Sequence, residues 1–113
     1  MTGKLALLAL FAATALFADL ETRAPRVIHK TVPEYTESAR RAGLEGTVVL
    51  YVEIGIDGRA HNISVNRSLG RGLDENAIEC VRHWRFSPGL KGGKPAQLPA
   101  TIELNFRLKP NLH

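Results

Sequence analysis

With 113 residues, 44% of them hydrophobic and 23% charged, the chain suffices for one compact domain and is too ordinary in composition for disorder or a fibrous repeat. The formal charge of +4 is modest and the basic residues alternate with acids, so the Lys and Arg stripe that accompanies nucleic-acid binding is missing. A single cysteine, Cys80, excludes an internal disulfide and leaves stability to packing.

Lys4 is followed by an unbroken run of apolar or small residues from Leu5 to Ala18. As a helix the run would span only about 21 Å, short of the roughly 30 Å hydrocarbon core of a bilayer. Residues 1–18 are therefore expected to be an export signal, cleaved after Ala15 or Ala18. A short retained anchor is the alternative, and only that would bring the chain into contact with a membrane. Residues 19–32, with charges at both ends and no periodicity, read as an extended arm.

Pro33 then precedes Glu34 to Gly43, where acids come early, arginines late and glycine last, an order that suits a short helix. Thr36 is the expected N-cap, with Tyr35, Ala39 and Ala42 along the packing side. From Gly46 the period becomes two. Val48, Leu50, Val52, Ile54 and Ile56 face one way, Thr47, Tyr51 and Glu53 the other, which predicts a strand. Asp57-Gly58 suits a type I′ hairpin turn, and the returning strand sends Ile63 and Val65 to the core and Asn62, Ser64 and Asn66 outward. Its weaker pattern places it at a sheet edge.

After Gly70-Arg71-Gly72, the recurrence of Leu73, Ala77, Cys80, Val81 and Trp84 predicts an amphipathic helix. Asp74 and Glu75 in its first turn and Arg82, His83 and Arg85 toward its end complement the helix dipole, and Pro88-Gly89 stops it. Lys91 to Pro95 reads as a loop. Leu98, Ala100, Ile102, Leu104, Phe106 and Leu108 then alternate with Gln97, Pro99, Thr101, Glu103, Asn105 and Arg107 in the clearest strand of the chain. Pro99 lacks a backbone donor, so the early part of this strand pairs on one side only. Residues 109–113 are a tail. The expected architecture is a two-layer α+β domain in the order α-β-β-α-β, both helices on one face of a three-stranded antiparallel sheet. The first strand is central and the last strand has an open edge.

An ordered set of motifs resembles the TonB C-terminal domain family. It comprises Pro33-x-Tyr35 leading into Ala39-Arg40, Gly43-Leu44-Glu45-Gly46-Thr47-Val48, Asp57-Gly58-Arg59, Leu73-Asp74-Glu75-x-Ala77, and Trp84-Arg85-Phe86-Ser87-Pro88-Gly89. The match covers residues 27–108, with the domain itself placed at 33–108. Thr36 stands where the family usually has a second proline, and a capping threonine can start the helix equally well. The resemblance implies an envelope protein that takes part in energy transduction by TonB. In that family the equivalent edge accepts a short extended segment of an outer-membrane receptor. A complete transducer also needs a membrane helix and a long proline-rich spacer, whereas the arm here reaches at most about 50 Å when fully extended. The expectation is therefore an exported periplasmic binding module, or an inner-membrane-anchored one if the N-terminal segment stays.

The edge residues expected to meet the partner are Thr101, Glu103, Asn105 and Arg107, with Val49 and Tyr51, apolar residues of the first strand turned away from the helices, as a second candidate face. The partner would be an outer-membrane receptor or another envelope protein. A structural envelope protein that self-associates as a homodimer, or binds cell-wall components through the same edge, is the competing expectation. Catalysis is not expected. His29, His61, His83 and His113 lack metal-site spacing, Asp57 is explained by its turn, and Ser64, Ser68 and Ser87 lack a nucleophile context. Neither a cofactor nor a metal is called for. Asn62-Ile63-Ser64 and Asn66-Arg67-Ser68 match a glycosylation pattern that chance readily produces. Trp84 and Phe86 read as core anchors rather than a ligand-stacking pair, and Arg82 and Arg85 as complements of the helix end rather than contacts to an acidic partner.

Overall fold

A computed structural model describes residues 21–109; the expected export segment, its cleavage points and residues 110–113 lie outside the described part. In chain order the elements are β1 (Thr22–Arg23), β2 (Arg26–His29), α1 (Glu37–Arg41), β3 (Gly46–Ile54), β4 (Ala60–Arg67), α2 (Leu73–Arg82), β5 (Arg85–Ser87), β6 (Gly89–Lys91), β7 (Lys94–Ala96) and β8 (Leu98–Phe106). The main sheet has the order β4-β3-β8 and is antiparallel throughout, with β3 at its centre.

Alternation puts Val48, Leu50, Val52 and Ile54 of β3 and Ile102, Leu104 and Phe106 of β8 on one face, where all are buried. Above them lie Leu73, Ala77, Cys80 and Val81 of α2, Ala39 of α1, and Trp84 and Phe86. Trp84 is 6% exposed, which places it in the core and removes it as a stacking surface. The two layers are thus helices on one face of the sheet. α1 starts as its sequence dictates, with the Thr36 hydroxyl accepting the Ala39 N–H at 3.1 Å, and stops at Gly43, whose φ is 64°. Ala42 is exposed rather than packed; Leu44 takes that role, and its carbonyl accepts the Tyr35 hydroxyl at 2.8 Å. The Tyr35 ring meets Phe106 edge-on with centroids 5.6 Å apart.

The hairpin between β3 and β4 differs from a type I′ turn. β3 ends at Ile54, the Gly58 N–H reaches back to the Gly55 carbonyl (3.0 Å), and of the turn residues only Gly58 has positive φ, 77°. The loop is three residues closed by a glycine bulge. Ile56 therefore sits in the turn and is 67% exposed instead of extending the core face. On β4, Ile63 packs against the core but Val65 is 40% exposed, because the sheet face is not covered that far out.

The segments without sequence periodicity are also paired. β1 runs antiparallel to β6, and β2 to β5, so residues 22–29 form a ribbon with residues 85–91. Arg85-Phe86-Ser87, expected at the end of a helix, is this strand β5; α2 stops at Arg82 and is capped by His83. The expected loop at Lys91 to Pro95 is a hairpin, β6 to β7, around Gly92 and Gly93 with φ of 59° and 77°. The double positive φ of a type I′ turn occurs here rather than at Asp57-Gly58.

Candidate functional site

The open edge of β8 is built by its ladder with β3, which runs through nine partners without a shift from Gly46 opposite Phe106 to Ile54 opposite Leu98. The direction of its backbone groups follows from the neighbouring hairpin. Gly55 donates its N–H to the Arg59 carbonyl at 3.0 Å, so odd-numbered residues of β3 address β4 and even-numbered ones address β8. The partners of those even-numbered residues are Leu98, Ala100, Ile102, Leu104 and Phe106. Pro99, Thr101, Glu103 and Asn105 therefore turn their backbone away from β3. This explains why Pro99 is tolerated within an unbroken ladder: its missing donor is on the outer side. Among the described residues no strand pairs with that side, leaving the N–H and C=O groups of Thr101, Glu103 and Asn105 at the two-residue spacing of a strand template.

The opposite edge, β4, is less regular. Its register with β3 shifts between Val49 and Leu50 and again between Tyr51 and Glu53, and Asn62 has φ of 50°. Such bulges kink and twist a strand, so a straight partner fits β8 better than β4.

Beside the β8 edge lies a groove of about 290 Å³ between Lys30–Pro33, Trp84 and Glu103–Asn105. Its far wall is held in place by one carbonyl: the oxygen of Thr31 accepts the Trp84 indole N–H at 3.1 Å and the Cys80 thiol at 3.2 Å. Of residues 30–33 the sequence singles out only Pro33, as part of a structural motif and not of a binding site; Val32 beside it is 86% exposed.

The two candidate faces form a single surface. Glu103 stands opposite Val49, Thr101 opposite Tyr51 and Asn105 opposite Thr47, whose hydroxyl donates to the Asn105 side-chain oxygen at 2.6 Å. Tyr51 is 49% exposed and borders a hollow of about 470 Å³ that also contacts Glu53, Asn62, Pro99 and Thr101. Side-chain bonds from Gln97 (3.0 Å) and Asn62 (2.7 Å) hold the Glu53 carboxyl below its ordinary pKa, so this face carries a fixed negative charge at neutral pH. Arg107 lies beyond the end of β8 rather than within it, and donates to the Phe106 carbonyl at 3.3 Å.

Several ionisable groups elsewhere have structural partners. The Asp57 carboxylate accepts the Arg59 N–H at 3.0 Å, which lowers its pKa, and approaches His61 Nε2 at 2.9 Å. Arg82 bonds Glu79, and Arg85 donates to the carbonyls of His83 and Trp84. Among the described residues no three His, Cys, Asp or Glu side chains converge as metal ligands.

The family model for the C-terminal part of Gram-negative bacterial TonB proteins matches residues 31–108. Protein tonB2 of Pseudomonas aeruginosa is 37% identical over 82 residues, 72% of this chain and 30% of that protein. Protein TonB of Xanthomonas campestris pv. campestris is 35% identical over 77 residues, 67% of this chain and 34% of that protein. The chain thus spans about a third of the length of these curated relatives. The solution NMR structure of the Pseudomonas aeruginosa TonB C-terminal domain superposes with a TM-score of 0.63 at 29% identity, covering 78% of this chain and 90% of that one. Fold, motif order and sequence therefore agree, and the chain belongs to the TonB C-terminal domain family.

Proposed function

We propose that the chain is a periplasmic binding module, not an enzyme, that supports TonB-dependent transport by adding an extended segment of an outer-membrane transporter, or of another envelope protein, to the outer edge of β8. The observation that carries this reading is the straight backbone edge at Thr101, Glu103 and Asn105, flanked by the groove against Lys30–Pro33. Attachment through N–H and C=O groups needs no particular side chain on β8, and the side chains of the added strand select the partner through the groove and the Tyr51 face.

The test compares Asn105→Pro with Asn105→Ala. Both lose the bond from Thr47, and the proline removes in addition one outward N–H and places its ring on the docking side. Pro99 already occupies an equivalent outward position, so the ladder to β3 should survive, which circular dichroism can verify. With extended peptides from outer-membrane transporters in a calorimetric titration, the alanine variant should bind within about twofold of the parent and the proline variant about tenfold more weakly, as for one lost hydrogen bond plus a steric block. Equal binding by the two folded variants would remove β8 as the site. Sizing across concentrations separates the competing expectation, since self-pairing of identical edges follows mass action.

A further inference from the structure

The strands of the ribbon formed by the lead and the segment after α2 carry charge of one sign. Strands β1, β2, β5, β6 and β7 carry Arg23, Arg26, Arg85, Lys91 and Lys94 and not one Asp or Glu. Arg85 is held by two carbonyls; the other four side chains are exposed. Lys91 and Lys94 are direct cross-strand partners in the β6–β7 hairpin. Two like charges placed opposite each other oppose pairing, and among the described residues neither lysine has a carboxylate within ion-pair distance. The Gly92-Gly93 turn would close this hairpin as well with neutral side chains, so the pair is not explained by folding. In β2, Ile28 is 68% exposed and Val27 44% exposed, between Arg26 and His29.

We propose that this basic, aliphatic-bearing end of the molecule rests on an anionic phospholipid surface. Phosphate headgroups would neutralise Arg26, Lys91 and Lys94, while Ile28 enters the boundary between headgroups and acyl chains. An acidic protein surface would match the charges but would leave Ile28 against carboxylates. The Gly93 N–H donates to the Glu21 carbonyl at 2.9 Å, which ties the lead to the tip of the basic hairpin. The surface lies on β2, β6 and β7, elements distinct from the β8 edge, so an extended segment and a bilayer can be engaged together.

Co-sedimentation of the full chain with phosphatidylglycerol-containing and with pure phosphatidylcholine vesicles tests this. The parent should partition onto the anionic vesicles and lose that preference at high ionic strength. Lys91→Gln with Lys94→Gln should lower the partition coefficient by roughly tenfold or more, and Ile28→Ser should lower it while leaving the salt dependence in place. Parent and variants share one N-terminal segment, so its contribution cancels in their ratio. Equal partitioning of the parent and the double lysine variant overturns the proposal. So does a loss on removing the lysines that Ile28→Ser does not share, since a polyanion of any kind would then account for the binding.

Discussion

Asp74 is the residue that joins the loop after β4 to the start of α2. Gly72 caps that helix with φ of 81° and has no side chain to offer, so the second helical residue reaches back instead. The Asp74 carboxylate accepts the Leu69 N–H at 2.9 Å and the Ser68 hydroxyl. Partial burial opposes its ionisation, but the bonds from Ser68, Leu69 and Gly70 outweigh it and its pKa lies below the usual value of 3.8. A carboxyl with a depressed folded-state pKa stabilises the fold above its unfolded pKa and loses that contribution as pH falls through the folded value. Asp74→Ala is therefore expected to cost about 1–2 kcal/mol at neutral pH. The difference from the parent should shrink below about pH 4. Urea unfolding at several pH values measures both effects, and a pH-independent difference would assign the loss to packing. At this scale the sequence was informative where burial is decided by period: Leu73, Ala77, Cys80, Val81 and Trp84 are all core residues, as their spacing implies. It could not reveal that Trp84 and Cys80 share the Thr31 carbonyl, because that contact links residues far apart in the chain.

The hairpin of β3 and β4 is docked as an element onto β5. The Phe86 N–H donates to the Gly58 carbonyl at 2.9 Å, and a Cβ on Gly58 would lie 2.7 Å from the Phe86 carbonyl oxygen. Gly43 provides a matched comparison, since its φ of 64° is similarly left-handed but a Cβ there meets nothing within 4 Å. Gly43→Ala should cost about 1–2 kcal/mol for the backbone conformation alone, and Gly58→Ala clearly more, because the turn must also move off β5. Equal losses in denaturant unfolding would show that the turn is not fixed there. The long elements were legible for the same reason that they are stable: β3, β8 and α2 each carry enough residues for a period to show. The short strands β1, β2, β5, β6 and β7 have between two and four residues, too few for alternation, and are specified by their pairing partners instead. Asp57-Gly58 pointed to a hairpin correctly but to the wrong turn, since the same dipeptide also serves the glycine-bulge loop. The outward backbone of β8 was partly legible, because Pro99 already fixed which side could lack a donor. The approach of Lys30–Pro33 to that edge was not, since no local pattern records it.

For the whole molecule, the ribbon bears on where the folding unit begins. A domain starting at Pro33 was the expectation from sequence, yet β2 supplies the partner strand of β5, and Thr31 supplies the acceptor for Trp84 and Cys80. Removing both would leave one edge of β5 unpaired and orphan the indole N–H of the largest core aromatic. Leaving such a donor without a partner costs about 1–3 kcal/mol, before the loss of the β1 and β2 ladders is added. A chain of residues 33–109 is therefore expected to unfold at a distinctly lower denaturant midpoint than one of residues 21–109, with Trp84 emission shifted to the red in its folded baseline. The emission separates this account from a general loss of chain length, which would lower the midpoint without changing the surroundings of the indole. Should the two chains share both midpoint and emission, residues 21–32 would be an accessory of the domain rather than part of its core, and the groove beside β8 would lose the rigid wall that the proposed partner strand is to be held against.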